Sequence, residues 1–408
     1  MIGSPRADRP QVAFVVQRYG AEVTGGSESL ARAVAERLRE EYRITVFTSC
    51  ARDYVSWRNE LPEGRETLNG VEVLRFRSQE ERDLDAFNRF AEPLYLRPHG
   101  PHDEIEFLRR QGPQVPGLVE ALEREKDRFA AVVFFTYLYY PTYWGLKAAP
   151  ERAILVPTTH DEPPLGFDIY REVFALPKAF GFLTRAEEAL VRSRFEVGSR
   201  LALVAGMGVE VPTSPDLEGF RLRAALPRPY ALYAGRIDAG KGCAEMLAFF
   251  EQYRQAGRAP LDLAMIGKLA MELPEGVRYL GFLSEEDKAA AIQGAQVVLC
   301  PSPYESLSIV LLEALALGVP ILANARSPVL LDHCLRSNGG LYYESGDEFV
   351  EALDLLTGDA RLRKALGESG RRYVAAHYRW DVVLRKYRQL IQAVSGQADG
   401  SQHSALRG

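Results

Sequence analysis

The chain has 408 residues, long enough for two domains each with its own core. Its apolar and charged fractions, 47% and 26%, are those of an ordinary globular protein, which argues against wholesale disorder. A net charge of −5 leaves no overall footprint for nucleic acid, although a local basic patch would be compatible with it.

Taken in order, the chain alternates strand-like and helix-like segments. Residues 11–16 (QVAFVV) read as a first strand, and residues 27–40 as an amphipathic helix with Leu30, Val34 and Leu38 on one face. Residues 43–48 and 71–76 read as further strands. A long charged region from Gln79 to about Lys126 follows. Strands are expected at 130–135, 153–156, 180–184 and 200–204, and the alternation argues a parallel, doubly wound sheet. The longest strongly apolar run, 130–140, is far short of the roughly 20 residues that span a bilayer.

Proline and glycine thicken over residues 206–229, which read as a linker. Beyond it, strands are expected at 230–234, 261–266, 277–280, 296–300, 321–323 and 340–343. Helices are expected near 243–256, 285–294, 347–356 and 360–377, with a last one at 380–394 crossing back to the first domain. Residues 396–408 are small and polar and read as a flexible tail. The domains expected are thus 1–205, joined by the closing helix 380–395, and 206–379, their two sheets facing a central cleft. The N-terminus has no apolar core of a secretory signal, and the four scattered cysteines suit reduced thiols. A cytoplasmic location is the expectation.

The most informative stretch is residues 300–322, CPSPYESLSIVLLEALALGVPIL. It reads as a strand end, a loop and a helix through Leu317, with Ser306 and Ser308 offering capping hydroxyls and Gly318 ending it. Two carboxylates lie in it. Glu305 falls in the loop at a strand's carboxyl end, where open α/β sheets bind ligands. Glu313 falls in an apolar helix, where an acid needs partners, and sugar or ribose hydroxyls are suitable ones. A solvent-facing Glu313 and a loop charge at Glu305 are the plain alternative.

Residues 235–242 (GRIDAGKG) nearly spell a P-loop, but Gly242 stands where a Ser or Thr would hold magnesium. Arg236 and Lys241 remain two cations suited to a diphosphate without a metal; two surface bases on a turn are the alternative. Residues 17–28 (QRYGAEVTGGSE) put Gly25 and Gly26 after the first strand, where backbone can approach a phosphate, or merely form a flexible loop. Residues 157–164 (PTTHDEPP) carry His160 just beyond a strand, beside Asp161 and Glu162; one His with adjacent carboxylates is a poor metal set. Asp83-Leu84-Asp85 superficially resembles a metal-holding acid pair, but a solvated face suits its charged surroundings better.

Together these motifs resemble the family-4 retaining glycosyltransferases, nucleotide-sugar enzymes of the GT-B fold with two Rossmann-like domains. The similarity runs along nearly the whole chain and rests on Glu305 with Glu313, Arg236 with Lys241, the Gly25–Gly26 loop, His160 and the closing helix. By that resemblance Arg236 and Lys241 would neutralise the donor diphosphate, Glu305 would meet the donor sugar, and Glu313 the ribose. His160 would line the sugar, Gly25 and Gly26 the phosphates or acceptor, and the backbone near Phe282 and Leu283 the base. Ser306, Leu307 and Ser308 replace the Gly-Phe-Gly of many members and would still line the donor, while 324–328 (NARSP) replaces a Gly-rich turn.

The resemblance implies a metal-independent hexosyltransferase without cofactor. It would use a UDP- or GDP-sugar and a glycan, lipid-linked or small-molecule acceptor in cell-surface polysaccharide or glycoconjugate assembly. That leaves room for peripheral contact at the inner face of the membrane. Arg89, Arg97, Arg109 and Arg110 would shape the acceptor side. A P-loop-like ATPase and a catalytically silent homologue serving as a binding subunit are the competing readings.

Overall fold

The computed structural model describes residues 9–396. The chain divides into two compact units. The first comprises the chain up to Leu183, Glu187–Ala205 and the residues from Leu384 on; the second comprises Thr184–Ala186 and Gly206–Val383.

The first unit is built on eight strands: β1 (Gln11–Val15), β2 (Arg43–Ser49), β3 (Gly64–Leu68), β4 (Val71–Phe76), β5 (Ala131–Phe135), β6 (Ala153–Val156), β7 (Ala179–Phe182) and β8 (Leu201–Val204). Their order is β3-β4-β2-β1-β5-β6-β7-β8. Strands β1, β5 and β6 are apolar runs buried on both faces, as strands of a helix-covered parallel sheet must be. Every pairing is parallel except β3 with β4. That hairpin closes through Asn69 and Gly70, both with positive φ (50° and 82°), the two-residue turn that Asn-Gly favours. The sheet is therefore mixed at one edge, where a wholly parallel one was expected.

The charged region after Gln79 is helical rather than irregular, with helices Leu84–Leu96, Pro101–Gln111 and Pro116–Glu125. Asp83 caps the first, its carboxylate accepting the Ala86 N–H, so the Asp-Leu-Asp run begins a helix. Phe87, Phe107, Leu108, Leu118 and Leu122 turn inward to the core. On their outer faces Arg109 pairs with Glu106 and Glu80, and Arg110 with Glu106. Half of the four bases assigned to an acceptor are thereby neutralised.

The second unit has six parallel strands: β9 (Tyr230–Ala234), β10 (Asp262–Ile266), β11 (Val277–Tyr279), β12 (Val297–Cys300), β13 (Ile321–Asn324) and β14 (Gly340–Tyr343). Their order is β11-β10-β9-β12-β13-β14. The chain runs outward from β9 through β10 to β11, then returns to β12 on the other side, so a topological switch lies between β9 and β12. The first sheet has its switch between β1 and β5. Ligands of open α/β sheets bind outside the carboxyl ends of strands at such points.

The stretch expected as linker contains a helix, Leu217–Arg223, capped by Asp216 and packed within the second unit through buried Phe220. A further helix, Pro328–Ser337, starts at the Ser327 cap where the sequence suggested only a turn. The closing helix, Trp380–Ser395, is shared between the units at Val383 and Leu384. From Leu384 on it is fastened to the first unit by Lys386 on the Val204 carbonyl and by Arg388 on Glu41. Beyond residue 396 the expected tail lies outside the described residues. Among the described residues no helix is long and apolar enough to cross a membrane.

Candidate active site

In the second unit, the loops that follow β9 and β12 lie side by side, because the two strands pair directly. After β9 the chain makes a single turn, Ala239–Lys241, whose start is fixed by the Asp238 carboxylate accepting the Lys241 N–H at 2.9 Å. Burial would raise the Asp238 carboxyl, but the Arg236 guanidinium and the Lys241 N–H outweigh it and hold it below the usual range. From this turn Lys241 Nζ reaches Glu305 Oε1 at 2.8 Å. The two groups are partly exposed, 32% and 18%, so solvent and ligand can reach them. Arg236, the other expected cation, is exposed and pairs with Asp238 of its own turn.

Glycines fit these loops together. Gly242 has φ 72°, and a Cβ there would lie 2.3 Å from the Pro301 carbonyl oxygen. The position therefore has no room for the hydroxyl residue of a P-loop, and the ATPase reading loses its structural basis. Just beyond the neighbouring strand β10, Gly267 (φ 120°) passes so close to the Gly235 carbonyl that a Cβ would lie 2.1 Å from it.

The loop after β12 is held at both ends. Asn324 Nδ2 donates to the Pro301 carbonyl at 2.9 Å, and His333 Nε2 lies 3.0 Å from the Leu307 carbonyl. Helix Ile309–Leu317 follows from Ser308, which takes a left-handed conformation (φ 64°, ψ 81°) with no side-chain cap bond. Neither Ser306 nor Ser308 is the capping hydroxyl expected: a left-handed Ser308 does not have the β-region backbone that aims a cap side chain at the helix N–H groups.

Glu313 is 7% exposed and faces inward from that helix. Its Oε1 accepts from Lys288 Nζ at 2.9 Å, while Oε2 is buried without a hydrogen-bond partner. Burial holds its carboxyl above the ordinary carboxylate range, with Lys288 acting against the rise. Lys288 is a residue the sequence did not single out, for it sits in a helix of ordinary composition with no motif around it. Phe282 is 78% exposed in the loop after β11, with Leu283 half-buried beside it.

The first unit presents its own group of residues at strand ends. Gly25 (φ 152°) precedes helix Gly26–Leu38, and a Cβ there would lie 2.2 Å from Glu28 Oε2. Gly25 is thus required by the loop's own carboxylate, whereas the space above Gly26 is open. Glu28 forms a buried ion pair with Arg18, whose Nε donates to Oε1 at 2.9 Å. That pair stiffens the loop and was not anticipated, although both residues flank the glycines.

His160 lies in the loop after β6, its Nε2 3.5 Å from Glu162 Oε2. The loop departs from β6 through Thr158 in a left-handed conformation (φ 53°), strain of roughly 1–3 kcal/mol for such a residue. Buried Glu187 secures it, accepting the Thr159 N–H at 2.6 Å and the Thr159 hydroxyl at 3.0 Å. Asp161 is drawn away to Arg194 at 2.6 Å, and Glu162 accepts from the Tyr137 hydroxyl at 2.8 Å. Asp161 thus turns to Arg194, while His160 and Glu162 lie against each other and Glu162 is shared with Tyr137. Among the described residues no group of three or more His, Cys, Asp or Glu side chains has a metal-holding arrangement.

Residues 218–373 match the family model described as glycosyl transferases group 1. The chain is 32% identical over 189 residues to the glycogen synthase of Thermus thermophilus, covering 44% of this chain and 42% of that protein. It is 28% identical over 184 residues to a phosphatidyl-myo-inositol mannosyltransferase of Propionibacterium freudenreichii, covering 44% and 48%. It thus spans less than half the length of these relatives. Among solved structures, the sucrose-phosphate synthase of Thermosynechococcus elongatus superposes over 96% of this chain and 100% of its own, with a TM-score of 0.72 at 18% identity. Anabaena Alr3699/HepE in complex with UDP and glucose covers 94% and 100%, with a TM-score of 0.68 at 13% identity. Likeness at this level is a likeness of fold, and the fold is GT-B.

Proposed function

We propose that this GT-B chain, whose residues 218–373 carry the glycosyl transferases group 1 domain, is a hexosyltransferase that takes a sugar from a UDP- or GDP-sugar. The acceptor is a glycan, a glycolipid or a small molecule, in cell-surface polysaccharide or glycoconjugate assembly on the cytoplasmic side of the membrane. The observation that carries this reading is the Lys241–Glu305 contact of 2.8 Å at the switch between β9 and β12. The matched domain, a relative named as a mannosyltransferase and a fold neighbour in complex with UDP support it.

In this reading a diphosphate competes with Glu305 for the Lys241 ammonium. Once released, the Glu305 carboxylate accepts from a hydroxyl of the donor sugar. The partnerless Oε2 of Glu313 accepts from a ribose hydroxyl, which relieves a buried acceptor that is costly to leave unsatisfied. Phe282 offers an exposed aromatic face near the base, and the Ser306–Ser308 backbone borders the sugar. Arg236 exchanges Asp238 for phosphate oxygens. In the first unit, the open approach at Gly26 leaves room for an acceptor.

As the bond between the anomeric carbon and the phosphate oxygen breaks, negative charge grows on the departing diphosphate and the sugar becomes oxocarbenium-like. A fixed ammonium stabilises that charge more in the transition state than in the ground state, so no metal is needed for this step. The acceptor oxygen bonds to the anomeric carbon on the face the diphosphate is leaving, and its proton passes to a phosphate oxygen, which gives retention.

The test is to incubate the purified chain with UDP-glucose and GDP-mannose in EDTA and follow release of nucleoside diphosphate, with a panel of sugar and lipid acceptors. Turnover that is lost in Lys241→Ala and Glu305→Ala supports the proposal. Nucleotide binding without turnover of either donor would favour the binding-subunit reading.

A further inference from the structure

His333 is completely buried on helix Pro328–Ser337, outside every stretch the sequence singled out, yet it touches the loop that carries Glu305. Its Nε2 is 3.0 Å from the Leu307 carbonyl oxygen and its Nδ1 is 3.0 Å from the Tyr373 hydroxyl. A carbonyl can only accept, so Nε2 carries the proton and donates. Nδ1 of a neutral ring then accepts from Tyr373. Burial, the dominant influence, keeps the ring neutral, pulling its pKa down to about 4.

The Leu307 carbonyl belongs to the peptide that leads into Ser308, whose left-handed backbone (φ 64°) is disfavoured for a residue with a side chain. Such a conformation persists only where neighbours over-determine it. Here the imidazole grips the peptide on one side of the strained residue, and the helix starting at Ile309 fixes the other. Glu305 lies between this anchor and the Asn324 anchor on Pro301.

We infer that His333 is a positioning residue. By donating from Nε2 to the Leu307 carbonyl it locks the left-handed turn at Ser308 and so holds Glu305 in reach of Lys241 and the donor sugar. It acts without touching substrate, and Tyr373 acts through it by fixing the ring. The catalytic part of this inference rests on the transferase reading; the anchoring of the loop does not.

The experiment compares the full chain with His333→Leu, which removes the donor, and His333→Gln, whose amide N–H can replace it. It measures kcat and KM for UDP-glucose or GDP-mannose, whichever the wild type turns over, together with amide hydrogen exchange over residues 301–309. In His333→Leu, kcat falls about tenfold while KM moves by less than about threefold, because the lost precision is felt chiefly in the transition state. Exchange at Ser308 and Ile309 quickens, and His333→Gln recovers most of both. A His333→Leu protein that folds and keeps wild-type kcat and exchange overturns the inference, as does a glutamine variant no better than leucine. If the wild type turns over neither donor, the transferase reading fails by itself and the exchange comparison still decides the anchoring. Should His333→Leu not fold, Tyr373→Phe takes its place with the same expected direction, and wild-type behaviour in it counts against the role.

Discussion

Lys241 Nζ donates to Glu305 Oε1 over 2.8 Å, although 64 positions separate the two in the chain. Neighbouring parallel strands, β9 and β12, deliver the lysine and the glutamate to one spot. The pair is partly exposed, and an ion pair of that kind contributes little to stability, about 0–1 kcal/mol. Its removal should therefore leave the melting temperature within a few degrees while abolishing most catalysis. Lys241→Ala is expected to lose about 10²–10³ in kcat, the loss typical of one donor to a developing anion. Steady-state rates and thermal melts of the same preparations check this.

Gly242 is a packing glycine. Gly242→Ser forces a side chain into a left-handed backbone and against the Pro301 carbonyl. The backbone change alone is worth roughly 1 kcal/mol, and the contact adds to it. The expected outcome is a lower melting temperature and no gain of magnesium-dependent ATP hydrolysis. ATPase activity in this variant would revive the P-loop reading.

Lys288 is expected to matter mainly through Glu313. Lys288→Met leaves a buried carboxylate without its cation, a change that costs about 3–5 kcal/mol in comparable pairs. Because burial already raises the Glu313 carboxyl, the unfolded chain gives up that proton first. Stability of Lys288→Met therefore falls as pH rises from the ordinary carboxylate range. Urea unfolding at several pH values checks the slope, and adding Glu313→Gln should flatten it.

His333 gives a pH signature of the opposite sense. Its folded pKa of about 4 lies below the unfolded value of 6.5, so the unfolded chain takes up a proton first on acidification. The stability this neutral ring contributes is complete above about pH 6.5 and is lost as pH falls towards 4, at up to about 1.4 kcal/mol per pH unit. His333→Gln has no such proton to bind. The difference in unfolding free energy between wild type and variant should shift in the variant's favour between pH 6.5 and 4.

Much of the fold was legible because buried parallel strands are short apolar runs, and β4, β6, β9 and β14 fall at the residues their composition suggests. The first edge strand was not, because β3 is exposed along most of its length and carries no apolar alternation. Its only signal was Asn69-Gly70, the turn that closes the hairpin. The helices after Leu84 were obscured by their charge, although Asp83, Pro101 and Pro116 mark their starts. At the site, residues in strand-end loops could be named from position and chemistry. Lys288, His333 and Glu187 could not, since each comes from a helix that only the tertiary fold brings to the carboxylate or loop it supports.

The decisive measurement is calorimetric titration of the wild type, Lys241→Ala and Glu313→Gln with UDP, GDP, ADP and dTDP in EDTA. One nucleotide is expected to bind the wild type with clear preference and one-to-one stoichiometry. Its affinity should fall about tenfold or more in each variant, since a hydrogen bond to a charged group is worth roughly 1.5–3 kcal/mol. Binding that requires magnesium, or that is indifferent to both substitutions, would contradict a donor site built on Lys241 and Glu313.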